Sequence, residues 1–172
     1  MFELHIVKTS IGCTGVLHSA RGIRKIIPSC KAKSEIFLRI DESYSLIEHD
    51  HDYNSLDDLC LRLVDYLDGC KINFPDTLDT SHATKFQKQV WELTRTIPYG
   101  ETRSYAWVSE KLGYHKRAAR PVGYALGRNP IPIIIPCHRV IGSNGNLVGF
   151  SSGLGLKKYL LNLENIDVEY SS

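Results

Sequence analysis

Residues 127–140 read Gly-Arg-Asn-Pro-Ile-Pro-Ile-Ile-Ile-Pro-Cys-His-Arg-Val and set the character of the C-terminal half of the chain. The apolar part, 129–136, is too short for a helix and is interrupted by prolines, which predicts a buried extended segment pinned at both ends. Cys137 follows this segment directly. Such a rigid mount suits a nucleophile, because a displacement requires reacting atoms aligned at about 3–3.5 Å.

The neighbours of Cys137 predict a reactive thiol. His138 and Arg139 place an imidazole and a guanidinium beside the sulfur, so we expect the pKa of Cys137 to lie below the ordinary value of about 8.5. The thiolate would then be the nucleophile. A Cys-His dipeptide by itself is common and usually structural, so it does not define the chemistry alone.

Two capped helices are predicted before this stretch. Thr84 begins the first, with its hydroxyl placed to cap an amide near Gln87, and Pro98-Tyr99-Gly100 ends it. Ser104 caps the second, which runs to Leu112. The first helix is expected to bury a face made of Phe86, Val90, Leu93 and Ile97.

A third helix is predicted from about Lys116 to Gly127, after a tight turn at 113–115. Helix, turn and helix form the outline of a helix-turn-helix motif, although many proteins that bind no nucleic acid share it. The local charge strengthens that interpretation, because Glu110 is the single acid in 103–139. Seven cations there form either a polyanion-binding surface or a solvated basic face: Arg103, Lys111, Lys116, Arg117, Arg120, Arg128 and Arg139.

The last part of the chain predicts four short elements. A turn is expected at 142–145, a short strand at Leu147–Phe150 and a flexible loop at Ser151–Gly155. A final helix should cover Leu156–Leu163.

The N-terminal half has a different pattern. Short stretches at Leu4–Val7, Val16–His18 and Ile23–Ile27 predict an antiparallel meander. From Ser55 the period becomes helical, with Ser55 and Asp58 as a capping box and Gly69 as a stop. The helix should pack on the sheet through leucines 56, 59, 63 and 67.

A polar stretch at 76–82 interrupts both periods, so we place a domain boundary near residue 80. Residues 1–80 carry 9 basic and 13 acidic side chains, whereas 81–172 carry 12 and 6. The expected fold class is α/β of the α+β type. It has an N-terminal α/β domain at 1–80 and a C-terminal, mainly helical domain at 81–172.

Composition excludes several classes of protein. With 42% hydrophobic and 23% charged residues, the chain has the composition of a globular protein, and no run of about 18 apolar residues could cross a bilayer. Residues 1–10 lack the basic-then-apolar order of a secretory signal. We therefore expect no membrane partner and a cytoplasmic location, or a nuclear one in a eukaryote.

The five cysteines do not predict a disulfide or zinc framework, because they are odd in number, widely spaced and without a C-x-x-C pair. The first four are interpreted as small buried hydrophobes, although a pair among them stays open. The cluster Glu48–Asp52 is interpreted as a solvated acidic loop. We expect neither a metal nor a cofactor.

The string Pro136-Cys-His-Arg-Val140, preceded by Gly127-Arg-Asn-Pro130, closely resembles the active-site signature of the O-alkylguanine-DNA alkyltransferases, the methylated-DNA–protein-cysteine methyltransferase family. The similarity covers about residues 84–164. It implies a ribonuclease H-like N-terminal domain and a winged-helix-like C-terminal domain with a helix-turn-helix. Other elements follow the family's order: Phe86-Gln87, Val90-Trp91, Ile97–Thr102, Ser104-Tyr105, Ala118–Arg120, Val122-Gly123 and Tyr159–Glu164.

The resemblance implies a DNA repair reaction without turnover. Cys137 would attack the alkyl carbon of 6-O-methylguanine, and of 4-O-methylthymine, after activation through a water by His138. Glu164 would orient the imidazole, and Tyr105 would supply a proton to the departing base. A thioether is not reversed by thiol reductants, so each monomer would act once.

The resemblance also implies residues that bind double-stranded DNA containing alkylated guanine. Arg120 would fill the gap left by the flipped nucleotide, on a helix that enters the minor groove. The other DNA-binding residues would be Ser104, Ala118, Ala119 and Arg128. The walls and loop of the alkylguanine pocket would be Asn129, Val140, Phe150 and Ser151.

Two residues depart from the family's pattern. Phe150 stands where tyrosine is common, and Pro121 stands where alanine is usual. A proline beyond the first turn of a helix removes a hydrogen bond, so either the helix begins later than Lys116 or Arg120 is presented at an altered angle.

Three other functions compete with this interpretation. A non-catalytic alkyltransferase-like protein would bind the lesion but lacks the cysteine that is present here. A helix-turn-helix regulator would prefer a particular operator. A Cys-His hydrolase would turn over repeatedly.

Overall fold

The computed structural model describes residues 1–47 and 55–167, and the chain divides into two units, Met1–Ser81 and His82–Ser172. The Glu48–Asp52 cluster lies outside the described residues. Each unit has its own secondary structure and its own core.

The first unit is built on a four-stranded sheet. Strands β1 (Phe2–Thr9), β2 (Gly12–Ser19) and β3 (Gly22–Cys30) form the predicted antiparallel meander, with each strand longer than expected. A fourth strand, β4 (Tyr44–Ile47), pairs parallel with β1, giving the order β3-β2-β1-β4. This fourth strand was not predicted, because a four-residue strand carries too little alternation to be recognised. A short helix, α1 (Lys33–Phe37), lies in the crossover that parallel pairing requires.

The core of this unit confirms the predicted apolar faces. Helix α2 (Ser55–Leu67) begins where the described residues resume and buries Leu59, Leu63 and Leu67. The side chains of Ser55 and Leu56, and hence the predicted capping box, lie outside the described residues. Gly69 ends the helix with φ of 98°, as its position predicted. A core cluster joins the sheet to α1 and is made of Leu4, Leu17, Ile27 and Cys30 from the strands and Ile36 from the helix.

The stretch after α2 is tied to the sheet by hydrogen bonds. Ile23 donates to the Thr77 carbonyl at 2.9 Å, and Asp79 donates back to the Ile23 carbonyl at 2.8 Å. Burial acts to raise the pKa of the Asp79 carboxylate, but hydrogen bonds from Ser81, whose amide donates at 3.1 Å, and from the Ser19 hydroxyl at 2.9 Å lower it overall. The polar residues before Ser81 thus belong to the first unit.

All five cysteines are free thiols. Cys13 and Cys30 are directly opposite each other in the β2–β3 register, with Cys30 buried and Cys13 half-buried. The pairing among the first four cysteines that the sequence left open is therefore not made in this structure.

The second unit begins with the two predicted helices. In α3 (Lys85–Arg95), the Thr84 hydroxyl accepts from the Gln87 amide at 3.2 Å, completing a capping box. In α4 (Tyr105–Lys111), the Ser104 hydroxyl accepts from the Trp107 amide at 3.0 Å. Both predicted N-caps are confirmed, because capping is a local property that sequence spacing records well.

Helix α5 (Ala119–Gly127) begins later than predicted. Residues Lys116–Ala118 form a single 3-10 turn, and the regular helix starts at Ala119. Pro121 is then the third helical residue, where its missing N–H leaves no helical hydrogen bond unmade. The sequence left two explanations for this proline, and the structure shows the first of them.

Two further predictions for this unit were wrong. Residues 129–136 do not run extended: the Ile135 amide donates to the Ile131 carbonyl at 2.9 Å, and the backbone turns back at Ile133, whose φ is 77°. Residues 147–150 form no strand, because Gly149, with φ of 40°, takes the backbone out of the extended region. The two-stranded parallel ladder is instead β5 (Arg103–Ser104) with β6 (Val140–Ile141).

The last helix among the described residues is α6 (Leu154–Leu163), which begins two residues earlier than expected. Among residues 1–47 and 55–167, no helix combines the length and the apolar character needed to cross a membrane. The same residues contain no group of three or more His, Cys, Asp or Glu side chains arranged to hold a metal ion.

Candidate active site

Cys137 occupies the first position of a short 3-10 turn, Cys137–Arg139, and is only 3% exposed. Its amide donates to the Ile135 carbonyl at 2.7 Å, which ties the turn to the folded-back apolar segment. The positive φ of Ile133 is unusual for a β-branched residue and costs about 1–3 kcal/mol. The surrounding packing, in which all of 131–136 is buried, holds this geometry three residues before Pro136.

Asn129 braces the turn and also contacts the sulfur. Its amide nitrogen donates to the Ile135 carbonyl at 2.9 Å and to Cys137 Sγ at 3.1 Å. Its side-chain oxygen accepts from the Ile131 amide at 2.9 Å. One buried amide therefore fixes both ends of the apolar segment and places a donor on the thiol.

The expected acidification of the thiol is not found. Burial raises the pKa of Cys137 to about 11, although the Asn129 hydrogen bond and the charge of Lys157 oppose this rise. The prediction from the sequence neighbours was wrong. Burial lowers the pKa of His138, and the charge of Arg139 is neutralised by Glu164, so neither neighbour supplies an unbalanced positive charge to the sulfur. The resting thiol is protonated, so a nucleophilic reaction here requires a proton acceptor.

Glu164 is the centre of a buried ionic cluster. Its Oε1 lies 2.9 Å from His138 Nε2 and accepts from Arg139 Nη2 at 2.8 Å, while its Oε2 accepts from Arg139 Nε at 2.9 Å and from the Gly100 amide at 3.0 Å. Arg139 also donates to the Ile97 carbonyl at 2.7 Å. The guanidinium expected to act on Cys137 is thus neutralised by Glu164.

The same cluster orients the His138 ring, while burial sets its protonation state. Burial lowers the pKa of the imidazole, even though the hydrogen bond and the charge of Glu164 oppose the shift. The neutral ring whose proton is on Nε2 donates to Glu164, which leaves the Nδ1 lone pair as the basic position. The arrangement can therefore orient an imidazole base adjacent in sequence to the thiol.

Lys157 is a functional candidate that the sequence reasoning missed. Although it is fully buried, its Nζ donates to the Val140 carbonyl at 2.6 Å and to the Val148 carbonyl at 3.2 Å. Burial lowers its pKa to about 8, while the nearby Cys137 opposes this shift. A signal existed, because 157 shares a helix face with the buried Leu160 and Leu161.

Tyr105 connects Lys157 to a cavity. Lys157 Nζ lies 3.4 Å from the Tyr105 hydroxyl, which donates to the Val148 carbonyl at 2.8 Å. Burial first, and then the neighbouring Cys137, raise the pKa of this phenol to about 12. The hydroxyl therefore remains a proton donor throughout the physiological range.

The cavity beside Tyr105 has a volume of about 490 Å³, within the range of pockets that hold small organic molecules. Of the four predicted pocket residues, Phe150 lines it, Asn129 and Val140 are buried outside its lining, and Ser151 is exposed outside it. Their roles stay predictions. The lining consists of Tyr105, Ala106, Ala119, Arg120, Gly123, Gly127, Gly142, Ser143, Val148, Gly149 and Phe150.

The predicted DNA-binding residues lie on or beside α4 and α5. Ala119 and Arg120 border the cavity, and the guanidinium of Arg120 is exposed. Ala118 ends the 3-10 turn and is half-buried, and Ser104 is occupied as an N-cap. Arg128 follows α5 at the surface; the side chain of Arg117 lies outside the described residues.

Comparison with known proteins identifies the family of this chain. Residues 85–166 match the family model of the 6-O-methylguanine DNA methyltransferase DNA-binding domain, so the class defined here is a DNA-binding domain that contains a buried Cys–His–Glu site. A methylated-DNA–protein-cysteine methyltransferase of Methanosarcina mazei is 38% identical over 93% of this chain and 95% of its own length. The chain belongs to the methylated-DNA–protein-cysteine methyltransferase family.

Two further similarities have different extents. The Methanosarcina acetivorans protein of the same name is 56% identical over 81 residues, which are 47% of this chain and 51% of that relative. The crystal structure of Mycobacterium tuberculosis OGT in complex with DNA superposes with a TM-score of 0.76 at 32% identity, covering 94% of this chain and 92% of that one. The alignment with the Methanosarcina acetivorans protein therefore spans about half of that protein's length.

Proposed function

We propose that this chain repairs alkylated DNA by transferring the alkyl group from the 6-oxygen of guanine to its own Cys137. The observation that carries the proposal is one buried thiol that accepts a hydrogen bond from the Asn129 amide at 3.1 Å and interacts electrostatically with Lys157 and with Tyr105, whose side chain borders the cavity. The names of the relatives and the DNA complex of a related protein support the choice of substrate.

The reaction follows from the protonation states in the site. His138, held neutral and oriented by Glu164, takes the thiol proton through a water. The buried ammonium of Lys157 and the Asn129 donor stabilise the thiolate as it forms. The sulfur–carbon bond then forms in line as the carbon–oxygen bond breaks, and the electron pair remains on the guanine oxygen.

Tyr105 completes the proton balance. Its hydroxyl, kept protonated by a pKa of about 12, donates to the oxygen that gains charge, and the proton taken up by His138 then returns through water to the Tyr105 phenolate. The net reaction exchanges the thiol hydrogen for the methyl group, giving guanine and S-methylcysteine. Because no step restores the thiol, the protein acts once. We propose 4-O-methylthymine as a second substrate, because it presents the same alkoxy chemistry.

Access to the alkyl carbon requires the nucleotide to leave the base stack. We propose that α4, the turn and α5 act as a helix-turn-helix, with Ala118 and Ala119 permitting close approach and Arg120 filling the gap in the duplex. The exposed arginine at the rim of the cavity supports this role. The β5–β6 ladder beside these helices supports a winged-helix-like fold, and β4 parallel to β1 supports a ribonuclease H-like first unit.

We further propose that the protein acts as a monomer and is located with its DNA, in the cytoplasm or in a eukaryotic nucleus. Five free thiols suit a reducing compartment. One flipped base and one sulfur suffice for one reaction, which supports a single chain as the functional unit.

The test uses duplex oligonucleotide containing one radiolabelled methylguanine. We expect label to move to the protein in about a one-to-one ratio, and Cys137→Ala to abolish the transfer. Cys70→Ala, which removes an exposed thiol, is the matched control and should transfer normally. Label that stays on the DNA would instead indicate a lesion-binding protein, and label released to solvent would indicate a hydrolase.

A further inference from the structure

The exposed face of α5 carries an aromatic residue that the proposed reaction does not use. Arg120, Tyr124 and Arg128 follow one another at intervals of four residues, which places them on one stripe of the helix. Tyr124 is 63% exposed, and the Arg128 guanidinium lies 4.6 Å from the centre of its ring. At about 1.5 Å per residue, the stripe is about 12 Å long.

The two arginines of this stripe differ from others in the second unit. Arg139 binds Glu164 and Arg103 binds Glu101 at 2.6 Å, so both charges are neutralised within the protein. Within residues 1–47 and 55–167, neither Arg120 nor Arg128 has a carboxylate partner. Two unneutralised cations beside an exposed aromatic ring fit a polyanion, and the single acid within 103–139 presents little repulsion to one.

The stripe borders the cavity. Gly123 and Gly127 line the cavity, and they directly precede Tyr124 and Arg128, respectively. Arg120 belongs both to the stripe and to the cavity lining. A strand whose nucleotide occupies the cavity would therefore continue along the stripe. Since bases advance by about 3.4 Å per step along one strand, 12 Å spans about three to four steps.

We propose that Tyr124 and Arg128 form one DNA-contacting unit, in which the tyrosine ring holds the guanidinium in position to bind a backbone phosphate near the flipped nucleotide. This inference rests on the proposed function. Tyr124 is a positioning residue here, because its effect on DNA passes through Arg128. The cation–π contact restricts a long side chain before DNA binds, so less conformational entropy is lost on association.

The test compares Tyr124→Ala, Tyr124→Phe, Arg128→Ala and the Tyr124→Ala/Arg128→Ala double variant in the full chain. Binding to undamaged duplex is measured across a series of salt concentrations. We expect Tyr124→Ala and Arg128→Ala each to weaken binding several-fold and to reduce the slope of log affinity against log salt by about one, the loss of one phosphate contact. The double variant should lose no more than either single one, and Tyr124→Phe should match the parent.

Two results would overturn the proposal: an unchanged salt slope in Tyr124→Ala, or losses in the double variant that equal the sum of the two single losses. Alkyl transfer from free benzylguanine, measured on the same preparations, separates this inference from the proposed function. Tyr124→Ala should transfer at the parental rate, because it does not touch the site around Cys137. If the parent itself transfers nothing, the proposed reaction fails, while the salt slopes still decide the role of Tyr124.

Discussion

In the buried site around Cys137, the charged side chains of Arg139 and Glu164 are paired with each other, whereas the arginines on the outer face of α5 have no carboxylate partner among the described residues. In the buried site, Glu164 accepts from both Arg139 and the Gly100 amide and contacts His138. Arg120 on α5 and Arg128 at its C-terminal end are exposed and have no carboxylate partner among the described residues. Burial forces charges to be matched within the protein, whereas an exposed cation can remain available for a partner.

The largest effect should come from breaking the buried cluster. Glu164→Ala leaves Arg139 and His138 buried without their common acceptor, and we expect unfolding by urea to show a loss of about 3–5 kcal/mol. The matched control is Glu101→Ala, which removes a half-exposed partner of Arg103 and should cost about 0–1 kcal/mol. Similar losses in the two variants would show that burial does not set the difference.

A pH dependence should reveal the buried lysine. Burial lowers the pKa of Lys157 from 10.5 to about 8, so between these values the unfolded chain binds the extra proton and the folded protein gains stability as pH rises. Relative to Lys157→Met, the parent should therefore become more stable from pH 8 towards 10.5, by at most about 3 kcal/mol. Cys137 also titrates at alkaline pH and the charge of Lys157 lowers its pKa, so the same comparison is made in a Cys137→Ala background, where that coupling is absent.

Urea unfolding of parent and Lys157→Met at several pH values measures this difference. A stability difference that stays constant across the range would mean that the folded-state pKa of Lys157 is not lowered. A difference that shrinks as pH rises would mean that the ammonium is favoured by its surroundings.

The smallest effect concerns the exposed face alone. Arg120→Ala should slow alkyl transfer from duplex DNA by about tenfold or more and leave transfer from free benzylguanine nearly unchanged, since only the duplex must be held open. Single-turnover rates on the two substrates measure this, with Lys158→Ala on α6 as a control for loss of one cation. Equal slowing on both substrates would place Arg120 in the chemical step instead.

What the sequence could predict was mainly local. The caps at Thr84 and Ser104 were correct because each depends on residues two or three positions away. Strand β4 and the turn at Ile133 were not found, because the first depends on pairing with β1 and the second on bracing by the Asn129 side chain. Pattern alone does not encode either contact.

The site shows the same limit more sharply. The motif located Cys137, and the structure places His138 and Glu164 in contact, but sequence adjacency misled about charge. Arg139 adjoins the thiol in the chain and binds Glu164 in space, while Lys157, twenty residues away, acts electrostatically on the sulfur. A thiol pKa depends on burial and spatial neighbours, which local sequence does not specify.

Alkyl transfer from guanine to Cys137 is tested by the mass of the peptide that contains this residue. The mass is measured after the protein has been exhausted on duplex DNA with one methylguanine. If Cys137 accepts the alkyl group, this peptide gains one methyl group, peptides with Cys13, Cys30, Cys60 and Cys70 remain unmodified, and the DNA then contains ordinary guanine. Loss of the lesion while Cys137 keeps its original mass would contradict this transfer.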